Sequence, residues 1–163
     1  MTKSYKATKS PAKVAIILRC PDLRLIAAHK GFISEELDLA GRSYYSLKRA
    51  GGAIAFARAS EMSDDFKSIF SEINMFLELH PEISYIIIIN HQDCRKYDKV
   101  IDRATAPKDV ERDDLLKAAH VLTGLFPHIQ IGAYYAKFTD AEQTEVAFET
   151  VFENNPTTSL RKS

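Results

Sequence analysis

Ser84-Tyr85-Ile86-Ile87-Ile88-Ile89-Asn90-His91-Gln92-Asp93-Cys94 is the stretch whose reading decides the fold. Its run from Ser84 to Asn90 is short, β-branched and apolar without alternation, which suits a parallel strand covered by helices on both faces. Lys13 to Arg19 has the same character. Each run ends in a polar cluster holding one of the chain's 2 cysteines: Cys20-Pro21-Asp22-Leu23-Arg24 after the first, His91-Gln92-Asp93-Cys94 after the second. If the runs are neighbouring strands, Cys20, Asp22, His91 and Cys94 converge at one sheet edge. Thiolate, imidazole and carboxylate are the groups zinc takes.

The flanking sequence supplies the remaining elements. Ser43 to Lys48 reads as a further strand, ended by Ala50-Gly51-Gly52. Between Ser60 and Leu79, Met62, Phe66, Ile69, Phe70, Ile73, Phe76 and Leu77 recur at helical spacing, with Ser63 as a cap and Pro81 beyond the end. A second helix is expected from about Asp109 to Leu125. His128 to Phe138 and Glu145 to Phe152 read as two strands joined around the polar turn from Thr139 to Thr144. The expected fold is therefore α/β: a mostly parallel four-stranded sheet in the order 2-1-3-4, flanked by helices, with an antiparallel C-terminal strand. In this order the crossovers leave the first strand in opposite directions, so the ligand-binding crevice falls between the strands ending at Cys20 and Asn90. One domain is expected over residues 13–152, between flexible tails at 1–12 and 153–163.

Composition restricts the setting. The 163 residues carry 22 basic and 22 acidic side chains, so no net field gathers nucleic acid or anionic lipid, and neither is expected as a partner. No apolar run approaches the roughly 20 residues of a membrane span, and nothing at the start reads as a secretory signal. A soluble, cytoplasmic protein is expected, where cysteines serve as thiols or ligands more often than as bridges.

The spacing carries chemistry. His91 and Cys94, at i and i+3, share one face of a helical turn. With Cys20 from the adjacent strand they make three ligands and leave a tetrahedral corner free, where bound water would have its pKa lowered to about 7. Asp22 would lie on the same side as Cys20 if the chain stays extended. It would then fill the fourth corner or accept a hydrogen bond from the water, and Arg24 could hold it off the metal by a bidentate pair. Alone, either cysteine reads as a buried core thiol; together with His91 and Asp22 the metal site is the better reading. His29, His80, His120 and His128 lack ligand-like spacing and read as surface or helix-end residues. The charged run Lys108 to Asp114 reads as a solvated helix start.

At these residues the chain resembles the β-class carbonic anhydrases. Their first zinc motif, Cys-x-Asp-x-Arg, is matched by Cys20 to Arg24. Their second, His-x-x-Cys after an apolar strand, is matched by His91 to Cys94. Lys48-Arg49-Ala50-Gly51-Gly52 is similar to a worn form of their Arg-Asn-Ala-Gly-Asn segment, and Ile131 to Phe148 is similar to their last hairpin. The resemblance implies zinc held by Cys20, His91 and Cys94, with Asp22 orienting the hydroxide or serving as fourth ligand and Arg24 paired with Asp22. It implies reversible hydration of carbon dioxide to bicarbonate, and a homodimer or higher homo-oligomer.

There are departures. The family usually has glycine on each side of His-x-x-Cys, where Asn90 and Arg95 stand here. Asn tolerates a left-handed backbone, whereas Arg95 adds bulk and charge beside the metal. The family also sets a glutamine from upstream of the first strand against its substrate, and no glutamine precedes Gln92. Two other readings follow: a catalytically weak or inactive zinc-binding relative acting as a binding or assembly module, and a zinc hydrolase of another small electrophile.

Overall fold

Strands β1 (Val14–Arg19) and β3 (Ile83–His91) run side by side and parallel, with Ile16 opposite Ile86 and Leu18 opposite Ile88. The computed structural model describes residues 3, 4, 6, 7, 13–39 and 43–156. Most of the expected tail at 1–12, and residues 157–163 of the other, lie outside the described residues. Strand β2 (Tyr44–Lys48) pairs parallel with β1 on its free side, β4 (Gln130–Phe138) pairs parallel with β3, and β5 (Val146–Glu153) closes the sheet antiparallel to β4. The order is β2-β1-β3-β4-β5, the topology expected from the sequence. Asn154, in the stretch expected as tail, still bonds through its N–H and side chain to the backbone of Ile131.

Strand periodicity splits the central residues between two apolar layers. Ile16, Leu18, Ile86 and Ile88 face α2 (Ile54–Ala57), α3 (Ser63–Leu79) and α4 (Val110–Leu125), packing with Phe56, Ile73 and Leu122. Ala15, Ile17, Ile87 and Ile89 face α1 (Ile26–Glu35), whose Phe32 also stacks on Phe148 of β5. Burial on both faces is why these strands read as continuous apolar runs. Among the described residues, no helix is long and apolar enough to cross a membrane.

Two local expectations are corrected. Ser63 is the first helical residue of α3 rather than its cap; Met62 holds that place, because its N–H already closes a turn onto Arg58 O at 3.0 Å. Helix α2 has too few residues to show a period. The run Lys108 to Asp114 is not simply solvated. Glu111 and Asp114 are both buried, and Arg103 and Arg58 reach them at 2.7 Å and 2.5 Å from other segments. A buried carboxylate persists only with such a partner.

Candidate metal centre

Cys20 directly follows β1 and His91 ends β3, so the pairing of two buried strands sets them at the same sheet edge. Beyond His91 the chain folds back. Gln92 donates its N–H to Ala136 O at 2.9 Å, its side chain accepts from Phe138 N–H at 3.1 Å, and Asp93 takes a φ of +56°. Cys94 then opens a short 310 turn over Tyr97–Lys99, accepting from Tyr97 N–H at 3.0 Å. The helical turn expected to align His91 with Cys94 is thus a strand end followed by a left-handed residue. Neither Asn90 nor Arg95 is left-handed; Asp93 is. Asn90 is buried for its side chain, which accepts from Ala53 N–H at 3.0 Å and donates to Glu111 O at 3.1 Å. Arg103 fixes the loop by donating to the Cys94 carbonyl at 3.0 Å.

The ligand atoms of Cys20, His91 and Cys94 all lie within 4.8 Å of one another, and the two sulfurs are 3.9 Å apart. Two thiolates at about 2.3 Å from a tetrahedral ion stand about 3.8 Å apart, so the spacing fits. The histidine is oriented for ligation. A carbonyl oxygen can only accept, so the 2.7 Å contact between Nδ1 and Gln92 O puts the proton on Nδ1 and leaves a lone pair on Nε2. That Nε2 is buried and has no hydrogen-bond partner. Donor chemistry and an orphaned buried nitrogen together fit a zinc-type ion.

Protonation agrees with this. The Cys94 thiol stabilises a thiolate on Cys20; burial opposes it, the Gly51 N–H adds to it, and Cys20 is held below the ordinary thiol range. The same partnership, with burial, pushes Cys94 up, against donation from the Lys96 and Tyr97 N–H groups. Without an ion the two sulfurs therefore share one proton, which a divalent cation would replace.

Asp22 lies apart from the three. It caps a 310 turn over Leu23–Leu25, accepting from Arg24 N–H at 3.0 Å, so the chain does not stay extended beyond Pro21 as expected. Its carboxylate stands 3.8 Å from His91 Nε2. Arg24 grips it with Nη2 at 2.7 Å and Nε at 3.1 and 3.3 Å, and that side-chain bond is the main reason Asp22 falls to about 2.

Two residues near the site were not foreseen. Gln143 accepts from Arg24 Nη1 at 2.6 Å and donates to Asp93 at 3.0 Å, from the β4–β5 turn where it takes a φ of +58°. Its signal was its place in a polar turn, which says nothing of where the turn points. His29, read as a surface or helix-end residue, is 1% exposed. Its Nδ1 accepts from Arg19 Nη1 at 3.0 Å, and burial, then Arg19 and His91, hold it down at about 3. An open pocket of about 540 Å³ lies over the cluster, lined by Cys20, Asp22, Arg24, Cys94, Arg95 and Gln143 among others.

A Cys-His-Cys cluster at the carboxyl ends of two adjacent parallel strands, within this sheet order, defines an α/β protein with the geometry to bind a metal ion. No protein-family model matches the sequence, and no curated protein matches it. Among solved structures, the chain is similar to isoform I of the β-carbonic anhydrase from the protozoan Trichomonas vaginalis, at 15% identity and a TM-score of 0.55, over 94% of this chain and 90% of that one. It is also similar to the β-carbonic anhydrase CafA of the fungal pathogen Aspergillus fumigatus, at 10% identity and a TM-score of 0.53, over 88% of this chain and 78% of that one. The fold is β-carbonic-anhydrase-like.

Proposed function

We propose that the chain binds zinc through Cys20, His91 and Cys94 and catalyses the reversible addition of water to carbon dioxide, giving bicarbonate and a proton. The observation that carries this reading is the meeting of three ligand atoms within 4.8 Å, two of them on cysteines that line an open pocket. Zinc, when bound, supplies a Lewis acid that lowers the pKa of its water to about 7. The chain's own residues supply orientation. Asp22, ionised at any physiological pH, offers an acceptor 3.8 Å from His91 Nε2 for a hydrogen bond from the attacking water. Arg24 keeps that carboxylate on its own guanidinium rather than on the metal. Backbone N–H groups of Gly51, Lys96 and Tyr97 steady the thiolates. A homo-oligomer belongs to the same reading, as does a reducing, cytoplasmic setting, which two free buried thiols suit.

Elemental analysis of protein purified without added zinc tests the site. About one equivalent per chain is expected, falling to background in Cys20→Ser and in His91→Ala. Stopped-flow hydration of carbon dioxide across a pH series tests the chemistry. Zinc with no rate above buffer would leave the non-catalytic, metal-binding relative as the surviving reading.

A further inference from the structure

The pocket over the cluster exceeds what a three-atom gas requires. Its volume of about 540 Å³ falls in the range of about 300–1,000 Å³ that holds metabolite-sized ligands. Its lining carries three cations, Arg24, Arg95 and Lys96, against one carboxylate, Asp22. These cations are differently committed. Arg24 is spent on Asp22 at 2.7 Å and Gln143 at 2.6 Å. Lys96 is shared with Asp65 at 3.7 Å. Arg95 is exposed and, among the described residues, has neither hydrogen bond nor ion pair. A guanidinium with all its donors free, on the wall of a concave site and next in sequence to Cys94, is a ready fork for a planar oxyanion.

We propose that this wall is a carboxylate subsite: Arg95 anchors the carboxylate of a small organic acid, and Lys96 adds to the attractive field. One guanidinium fork meets both oxygens of a carboxylate, whereas the further oxygens of a phosphate would be left without a free donor on this wall. The subsite rests on the metal-site reading only for what the far end of such an acid would meet; the anion contact itself needs no metal. The pocket then selects charged molecules with room to place a second functional group over Cys20 and Cys94.

Calorimetric titration of the whole protein with malonate at low salt tests this, with malonamide as the neutral control and inorganic phosphate as the competing class, and zinc content measured in parallel. Malonate should bind in the millimolar range or tighter and weaken as salt rises. Arg95→Ala should weaken it about tenfold or more, the loss of a charge-assisted pair, and Arg95→Lys should restore part. The same dependence on Arg95 should persist after chelator treatment. Equal malonate binding by wild type and Arg95→Ala, equal binding of malonamide, or binding of phosphate without malonate overturns the subsite. Protein that is purified without zinc and takes none up on addition, yet binds malonate through Arg95, overturns the metal reading and leaves the subsite standing.

Discussion

Replacing Gly52 with alanine should damage both the fold and the metal centre. Gly52 has a φ of +57°, a conformation that costs an L-residue about 1–2 kcal/mol. An added Cβ would lie 2.6 Å from Asn90 Oδ1 and 2.8 Å from the Ile89 carbonyl. The carbonyl belongs to a central strand paired on both sides and cannot give way. Asn90 could move, but its Oδ1 accepts the Ala53 N–H, and losing that bond strands a buried donor at about 1–3 kcal/mol. The sum is about 2–5 kcal/mol, a large part of the about 5–15 kcal/mol typical of a domain. Urea unfolding at pH 7 should show a lower midpoint with an unchanged slope. Because Asn90 immediately precedes His91, zinc content should fall as well. The double variant with Asn90→Ala should cost less than the two singles added, since one clash has lost its partner. A loss below about 1 kcal/mol in Gly52→Ala would refute the close-approach argument.

Gln143→Ala removes one of Arg24's partners at an exposed site, so kcat for carbon dioxide hydration should drop about twofold to fivefold with zinc content unchanged; an unaltered kcat would sever Gln143 from the site. Arg24→Leu should raise the Asp22 carboxyl from about 2 toward the ordinary value of about 3.9. Carboxyl NMR titration reads this directly, and a midpoint that stays near 2 would contradict the assignment. A carboxylate held low adds stability above its ordinary range and surrenders it as pH falls toward 2, so the wild type's advantage over Arg24→Leu should shrink in acid. His29, held neutral at about 3, works the same way by a different route: from about pH 6.5 downward the unfolded chain takes up a proton that the folded chain refuses, so stability falls with pH. Between pH 6.5 and 5 this should amount to about 2 kcal/mol. His29→Gln, which keeps an acceptor for Arg19, should lose that slope in urea midpoints; an identical slope would mean His29 does not carry it.

What could be read from the chain alone divides along physical lines. Runs such as Ile86 to Ile89 are buried on both faces, and that burial prints itself directly on residue type, so β1, β3 and the sheet order were legible. The phenylalanine and isoleucine spacing of α3 was legible for the same reason. Cys20, His91 and Cys94 were visible because ligand chemistry admits few residue types. Features set by contacts across the chain were not visible. His29 is buried, with its ring against Phe148 of β5 and its Nδ1 bonded to Arg19 of β1, and nothing in its neighbours' spacing says so. Gln143 reaches Arg24 across 119 positions, from a turn shaped by Asp140 accepting the N–H groups of Thr144 and Glu145, each at 2.9 Å. The left-handed residue fell at Asp93 rather than at the flanks of the motif, because the chain must reverse after His91 to bring the second sulfur back over the strand ends.

The pairing of β1 with β3 also sets when the site can exist. Its two sulfurs belong to residues 74 positions apart, and nothing local holds them together before the central strands have met. On the ribosome, Cys20 must wait for the β3 segment to emerge and for a non-local, comparatively slow pairing to form. On the metal-site reading, ion capture would therefore be a late event in the life of the molecule, and a tightly loaded ion would report that the middle of the sheet has been assembled correctly.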